Sequence, residues 1–169
     1  ALRAMLGRLE GDLAGRRVVV SAGGTQEPLD PVRFVGNRST GKMGFAIAEA
    51  ARDRGATVTI VTGPVALETP YGVTRVDVTT VAEMLAALAP ATLDSDALVM
   101  SAAPADFRPE SPAGHKMKKA PGQDTMTVTL VKNPDILASL PAGGVRVGFA
   151  AETHDLAKHA VEKLTAKRL

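Results

Sequence analysis

The chain has no cysteine and no tryptophan, and only one tyrosine and four phenylalanines among 169 residues. Without cysteine there is no disulfide framework, no thiolate metal site and no cysteine nucleophile. Aromatics at 3% leave little surface for stacking bases, and 20 basic against 18 acidic residues give a formal charge of only +2. Nucleic-acid binding rests on an excess of cationic surface and often on stacking rings, so nucleic acid is excluded as a partner. No apolar run reaches the ~20 residues that span a bilayer, which argues against a membrane anchor. The opening residues, ALRAMLGRLE, lack the basic, apolar and cleavage regions of a signal peptide. The expected setting is therefore cytoplasmic. The three histidines, His115, His154 and His159, are scattered. The last two are five apart, off the i, i+4 spacing of helical zinc pairs, and all three read as surface residues. No Ser/His/Asp arrangement stands out.

What is present fits one soluble globular domain, with 45% hydrophobic and 22% charged residues. A chain of this size buries roughly 70% of its unfolded surface without a covalent staple. Residues 3–13 have a helical period, and residues 1–15 read as a linker or leading helix. Strands are expected at Arg16 to Ala22, Ala56 to Thr62, Val73 to Val78, Asp96 to Ser101, Met126 to Val131 and Val145 to Ala150. Helices are expected over residues 42–54, stopped by Gly55, and after the capping box Thr80-Val81-Ala82-Glu83, stopped by Pro90. Two more are expected: a short one opened by Asn133-Pro134, and one from His154 to Lys167. Strands alternating with helices predict a three-layer α/β domain of Rossmann-like type with a mostly parallel sheet.

The stretch from Ser21 to Gly44, SAGGTQEPLDPVRFVGNRSTGKMG, dominates this pattern. It is a long connection between the first strand and a helix, with five glycines and two prolines. Loops of this length in compact domains are usually functional or disordered. This one ends at a helix start, where free N–H groups and the helix dipole favour an anion. Gly23-Gly24-Thr25 is a tight turn that lets backbone approach a ligand, but it is not G-x-G-x-x-G. Gly36 to Lys42 has the spacing G-x-x-x-x-G-K, yet Met43 stands where a P-loop needs serine or threonine for magnesium. A looser phosphate cradle fits better, made of Asn37, Ser39, the N–H groups of Gly41 to Gly44, and Lys42 or Arg38. The bland alternative is a glycine-rich helix entry with solvated charges.

Besides Gly23-Gly24, two further stretches fall at strand ends, where α/β sheets hold ligands. Ala102 to Asp106 follows the fourth strand, and Phe149 to Thr153 follows the last. Residues 107–125 are rich in proline, lysine and glycine and read as a mobile flap. Its Lys116, Lys118 and Lys119 are either a solvated charge run or a cover for a triphosphate. Lys163 and Lys167 share a helix face. The physics of these residues ends at an α/β domain that binds a phosphorylated ligand, with a nucleotide the expected one.

Taken together, SAGGTQEPLDPVRFVGNRSTGKMGFAIA, AAPADFRP, HKMKK, VKNPDIL and VGFAAET resemble the phosphopantothenate–cysteine ligase family, in bacteria the ligase half of a bifunctional coenzyme A biosynthesis protein. The resemblance runs from about Arg17 to the last residue, with several motifs in order. It implies that 4′-phosphopantothenate, CTP with Mg2+, and L-cysteine are the substrates. It implies Asn37 and Lys116 as catalytic residues, with Lys116 on the flap. It implies a nucleotide site of Gly23, Ser39, Gly41, Gly44, Asp106, Lys116, Pro134, Asp135, Ile136, Leu137, Phe149, Lys163 and Lys167. It places Arg33, Asn37, Ala102 and Ala103 at the phosphopantothenate, with Arg33 reaching into the partner subunit of a homodimer. The family continues beyond Lys167 and carries a flavin-dependent decarboxylase half upstream, so residues 16–169 read as a ligase domain cut short. Two other readings stay open on the sequence: an NADP- or flavin-binding oxidoreductase, which the failed fingerprint counts against, and a non-catalytic nucleotide-binding module.

Overall fold

The computed structural model describes residues 2–119, 121–122, 124–141 and 143–149. In chain order the elements are α1 (Leu2–Glu10), β1 (Arg17–Ala22), β2 (Glu27–Pro28), β3 (Phe34–Val35), α2 (Lys42–Asp53), β4 (Thr57–Thr62), β5 (Val73–Asp77), α3 (Val81–Thr92), β6 (Ala97–Met100), β7 (Phe107–Pro109), β8 (Leu130–Lys132), α4 (Ile136–Ser139) and β9 (Val145–Gly148). Five strands form one parallel sheet in the order β5-β4-β1-β6-β9.

The alternation of β1 explains the layers. Successive strand residues point to opposite faces. Val18, Val20 and Ala22 pack with Phe45, Ala48 and Ala51 of α2 and with Val58 and Ile60. Val19 packs on the other side with Met84 and Leu88 of α3, Leu98, Met100 and the α4 residues Ile136 and Leu137. A central strand covered on both faces reads as a continuous apolar run, and Val18-Val19-Val20 is that run. The sheet with helices on both faces is the expected Rossmann-like α/β architecture. α1 packs on α2, through Ala4 and Gly7. Among the described residues no helix is long and apolar enough to cross a membrane.

Strand order reverses at β1. The chain leaves β1 through α2 to β4 and β5 on one side, then returns through α3 to β6 on the other. The carboxyl ends of β1 and β6 therefore flank the topological switch point, where a crevice opens in such sheets.

Several expected boundaries move. Pro90 lies inside α3, which runs on to Thr92. A proline lacks the N–H and crowds the preceding turn, but here the helix has only two more residues to go. Asn133-Pro134 do not open α4; Asp135 is its N-cap, accepting from the Ala138 N–H at 3.2 Å. The strand expected over 126–131 is β8, shifted to Leu130–Lys132, and it pairs antiparallel with β7. The strand expected to reach Ala150 ends at Gly148. The long loop contains its own two-stranded ribbon, β2 with β3. The helix expected from His154 to Lys167, with Ala150 to Thr153, lies outside the described residues.

Candidate active site

Glycines bring three pieces of backbone together at the end of β1. Gly23 has φ 72°, the left-handed region that glycine occupies without strain. Gly41, with φ 74°, is the N-cap of α2 and sits against Gly23, 3.5–3.6 Å from where its side chain would begin. A side chain on Gly24 would stand 2.5 Å from the Asn37 carbonyl. No side chain caps the first turn of α2, so the N–H groups of Lys42, Met43 and Gly44 form an anion-seeking helix start. Ser39 lies beside it, its hydroxyl accepting from the Gly41 N–H at 3.3 Å.

The other wall is the segment after β6. Gly24 and Ala103 continue the β1–β6 pairing beyond the strands. Ala103 donates its N–H to the Gly23 carbonyl at 2.8 Å. The buried Ser21 hydroxyl accepts from the Ala102 N–H, and the buried Thr25 hydroxyl accepts from the Ala105 N–H at 2.9 Å. Asn37 closes the gap between the walls: its side-chain amide donates to the Pro104 carbonyl at 2.8 Å.

A cleft of about 350 Å³ opens beside this wall, within the range of small-molecule sites. Ala102, Asp106, Pro134, Asp135, Ile136, Leu137 and Phe149 line it. Asn133 sets its floor. It is buried, and it donates to the Ala105 carbonyl at 2.9 Å while its own N–H reaches the Asp106 carbonyl at 2.8 Å. The structure thus collects Gly23, Ser39, Gly41, Gly44, Asn37, Ala102 and Ala103 at the switch point, and Asp106, Pro134, Asp135, Ile136, Leu137 and Phe149 in the adjoining cleft. Lys163 and Lys167 lie outside the described residues. Gly44 is placed differently from its neighbours in the cradle, with its α-carbon turned against β1: an added side chain would meet Ser101 Oγ at 2.5 Å and Ala22 Cβ at 2.6 Å.

Lys116 does not line the cleft. It is exposed on the segment between β7 and β8. That segment, expected to be mobile, is stitched to the long loop. Ala113 donates to the Leu29 carbonyl at 2.9 Å. Met117 donates to the Asp30 carboxylate at 3.1 Å and accepts from Arg33 Nη2 at 3.0 Å. Arg33 in turn pairs with Asp30 at 2.5 Å. Asp30 is fully buried as a side chain. The Arg33 hydrogen bond holds its carboxyl well below the usual carboxylate range, with the Val32, Met117 and Arg33 backbone N–H groups adding to the effect and burial opposing it.

Sequence reasoning missed Asp30, Ser21, Thr25 and Asn133. Asp30 carries a signal: Asp-Pro opens a turn, and an aspartate accepts from backbone N–H groups two and three residues on. Those bonds are present, to Val32 and Arg33 at 2.9 Å each. The other three show only as small polar residues in or beside strands.

The family described as the DNA/pantothenate metabolism flavoprotein C-terminal domain matches residues 13–169. The coenzyme A biosynthesis bifunctional protein CoaBC of Vibrio parahaemolyticus is 48% identical over 161 residues, covering 93% of this chain and 40% of the relative. CoaBC of Escherichia coli is 47% identical over 163 residues, with 94% and 40% covered. The chain thus spans about two fifths of the length of these curated relatives. The crystal structure of the C-terminal domain of a CoaBC superposes with TM-score 0.78 at 38% identity, over 91% of this chain and 74% of that one. A Cab2 variant in complex with phosphopantothenate-cysteine superposes with TM-score 0.69 at 17% identity, over 98% and 74%; this last likeness is one of fold.

Proposed function

From the premise that the chain belongs to the family of DNA/pantothenate metabolism flavoprotein C-terminal domains, we propose that it is a CTP-dependent phosphopantothenate–cysteine ligase domain of coenzyme A biosynthesis. One observation carries the reading. An uncapped helix start, an asparagine amide and a nucleotide-sized cleft meet at a single switch point. The carboxylate of 4′-phosphopantothenate attacks the α-phosphate of CTP and pyrophosphate leaves. The amine of L-cysteine then attacks the acyl-cytidylate carbonyl and expels CMP. Both steps need positioning and charge neutralisation more than an acid–base pair, in keeping with a site that has no triad.

In this reading the cradle of Gly23, Ser39, Gly41 and the α2 N–H groups takes phosphate oxygens. Asp106, Pro134 to Leu137 and Phe149 hold the nucleoside, joined by Lys163 and Lys167. Asn37 presents its amide to the acyl group, and Lys116 brings its ammonium to the charge that develops at the reacting phosphate. Among the described residues no cluster of three or more His, Asp or Glu forms, so these residues build no cage for Mg2+. The ion would arrive on the triphosphate, as Mg2+ commonly does, with Asp106 and Asp135 the exposed carboxylates among the described cleft residues. The complete protein would be cytoplasmic and homodimeric, with a flavin-dependent decarboxylase half upstream.

Calorimetric titration with CTP, ATP, NADPH and FMN, each with magnesium, tests the reading. The flavin joins because the family's description names a flavoprotein. Selective CTP binding is expected, followed by pyrophosphate release on adding phosphopantothenate and cysteine. NADPH or FMN binding without a CTP signal would overturn it. CTP binding with no pyrophosphate release in the full-length protein would leave a binding module and remove the ligase.

A further inference from the structure

Asp30 accepts five N–H groups: Val32 N and Arg33 N at 2.9 Å, Arg33 Nε at 3.0 Å, Arg33 Nη2 at 2.5 Å and Met117 N at 3.1 Å. Four of these are local and suffice to close the Asp-Pro turn. The fifth comes from a residue 87 positions away in sequence. Turn formation does not require it. Burying a carboxylate is costly unless it is paired and hydrogen-bonded, and this one is fully buried in a surface loop. The Arg33 guanidinium completes the grip by donating to the Met117 carbonyl at 3.0 Å. Both polar groups of one flap peptide residue are therefore held. A second tether, Ala113 to the Leu29 carbonyl, holds the other end. Only Gly114, His115 and Lys116 lie between the two tethers.

We propose that Asp30 is a positioning residue for Lys116: with Arg33 it clasps the main chain of Met117 and so fixes the point from which the neighbouring ammonium reaches the reacting phosphate. The proposal rests on the ligase reading above for the role of Lys116, and on the clasp itself for the geometry. A lysine side chain is a flexible stem carrying a point charge. Its effective concentration at a phosphate is set by how well its backbone is anchored. An unanchored proline- and glycine-rich flap would have to be ordered in each turnover, and misplacement by about 1 Å costs up to ~100-fold in rate.

The test uses Asp30→Asn, Lys116→Gln and the double variant in the full-length protein, assayed for pyrophosphate release. Asp30→Asn is expected to lower kcat roughly 10- to 100-fold with the KM for CTP near wild type. In the Lys116→Gln background the same change is expected to cost less than about twofold, since residues acting through one another are not additive. Full additivity would overturn the proposal and assign the effect to Arg33 or to general stability. Limited trypsin digestion reads the clasp without any activity: cleavage after Lys116, Lys118 and Lys119 should accelerate in Asp30→Asn, and unchanged cleavage would also overturn it. If the wild-type protein releases no pyrophosphate, the ligase reading fails and the catalytic half of this proposal falls with it, while the trypsin arm still judges the clasp. Should Asp30→Asn fail to fold, Met117→Pro removes the flap N–H, leaves the Asp30–Arg33 pair in place and carries the same kinetic readouts, with trypsin cleavage then read after Lys118 and Lys119 only, since proline blocks cleavage after Lys116.

Discussion

Gly44 shows two opposed effects at one residue. Alanine favours a helix over glycine by about 1 kcal/mol, and Gly44 is the third residue of α2. Propensity alone predicts that Gly44→Ala stabilises the protein. The new methyl, however, would stand 2.6 Å from Ala22 Cβ and 2.5 Å from Ser101 Oγ. Ala22 cannot turn aside, because its Cβ is fixed by the backbone of the central strand. Ser101 is held as well, its hydroxyl donating to the Ser21 carbonyl at 2.6 Å. Overpacking of this kind costs ~1–3 kcal/mol and outweighs the helical gain. Urea denaturation of Gly44→Ala should show a net loss of roughly 1 kcal/mol, and an unchanged or raised midpoint would mean that α2 shifts freely on the sheet. A shift of α2 would also move the helix start that forms the phosphate cradle, so weaker CTP binding is expected in the same variant.

At the scale of the element, α3 shows what local sequence can and cannot reveal. Thr80 Oγ1 accepts from the Glu83 N–H at 3.2 Å, and the Glu83 carboxylate accepts from the Thr80 and Thr79 N–H groups. This capping box was legible because all its partners lie within four residues. Thr80→Ala should cost about 1 kcal/mol in thermal or urea unfolding; no measurable loss would show that Glu27 alone caps the helix. Glu27 is the second cap, a fully buried side chain in β2 that accepts from the Val81 N–H at 2.9 Å. It is 54 residues away, and no window on the sequence joins the two. The same division runs through the fold. The parallel strands, α2 and the Gly55 stop follow from local period and punctuation, and they stand within two residues of where the pattern puts them. The β7–β8 pairing and the Asp30 clasp depend on partners far along the chain, and beside the strand that becomes β8 the sequence showed only proline, glycine and charge; the β2–β3 ribbon is local, but its two-residue strands carry no period. In the site, the glycine turn and the helix start were legible for the same local reason. The stitching by Ser21, Thr25 and Asn133 was not, since a small polar residue near a strand looks alike whether or not it holds a distant loop.

At the scale of the whole molecule, the two ribbons raise the question of assembly. β2 and β3 pack against β7. Around them Val32, Phe34, Phe107 and Leu130 remain 60%, 54%, 49% and 43% exposed, although the main sheet has a complete core. Large apolar residues gathered on one side of a domain mark an interaction surface. The proposed homodimer would place this surface between two copies, and it would bring Arg33, which neighbours Val32 and Phe34, toward the other subunit's site. Arg33 Nη1 has no hydrogen-bond partner among the described residues, which in such a dimer would leave it free to meet a phosphate there. A two-fold interface presents each residue twice. Losing a well-packed aromatic anchor costs roughly 2 kcal/mol per copy, so Phe34→Asp should weaken dimerisation by about a thousandfold. Sedimentation of the full-length variant at micromolar concentration should show monomer where the wild type shows dimer. CTP affinity should stay near wild type, because Phe34 is not among the residues that line the cleft, while turnover should fall with the dimer. A variant that stays dimeric would move the interface elsewhere, and a monomer with full turnover would remove Arg33 from the partner's site.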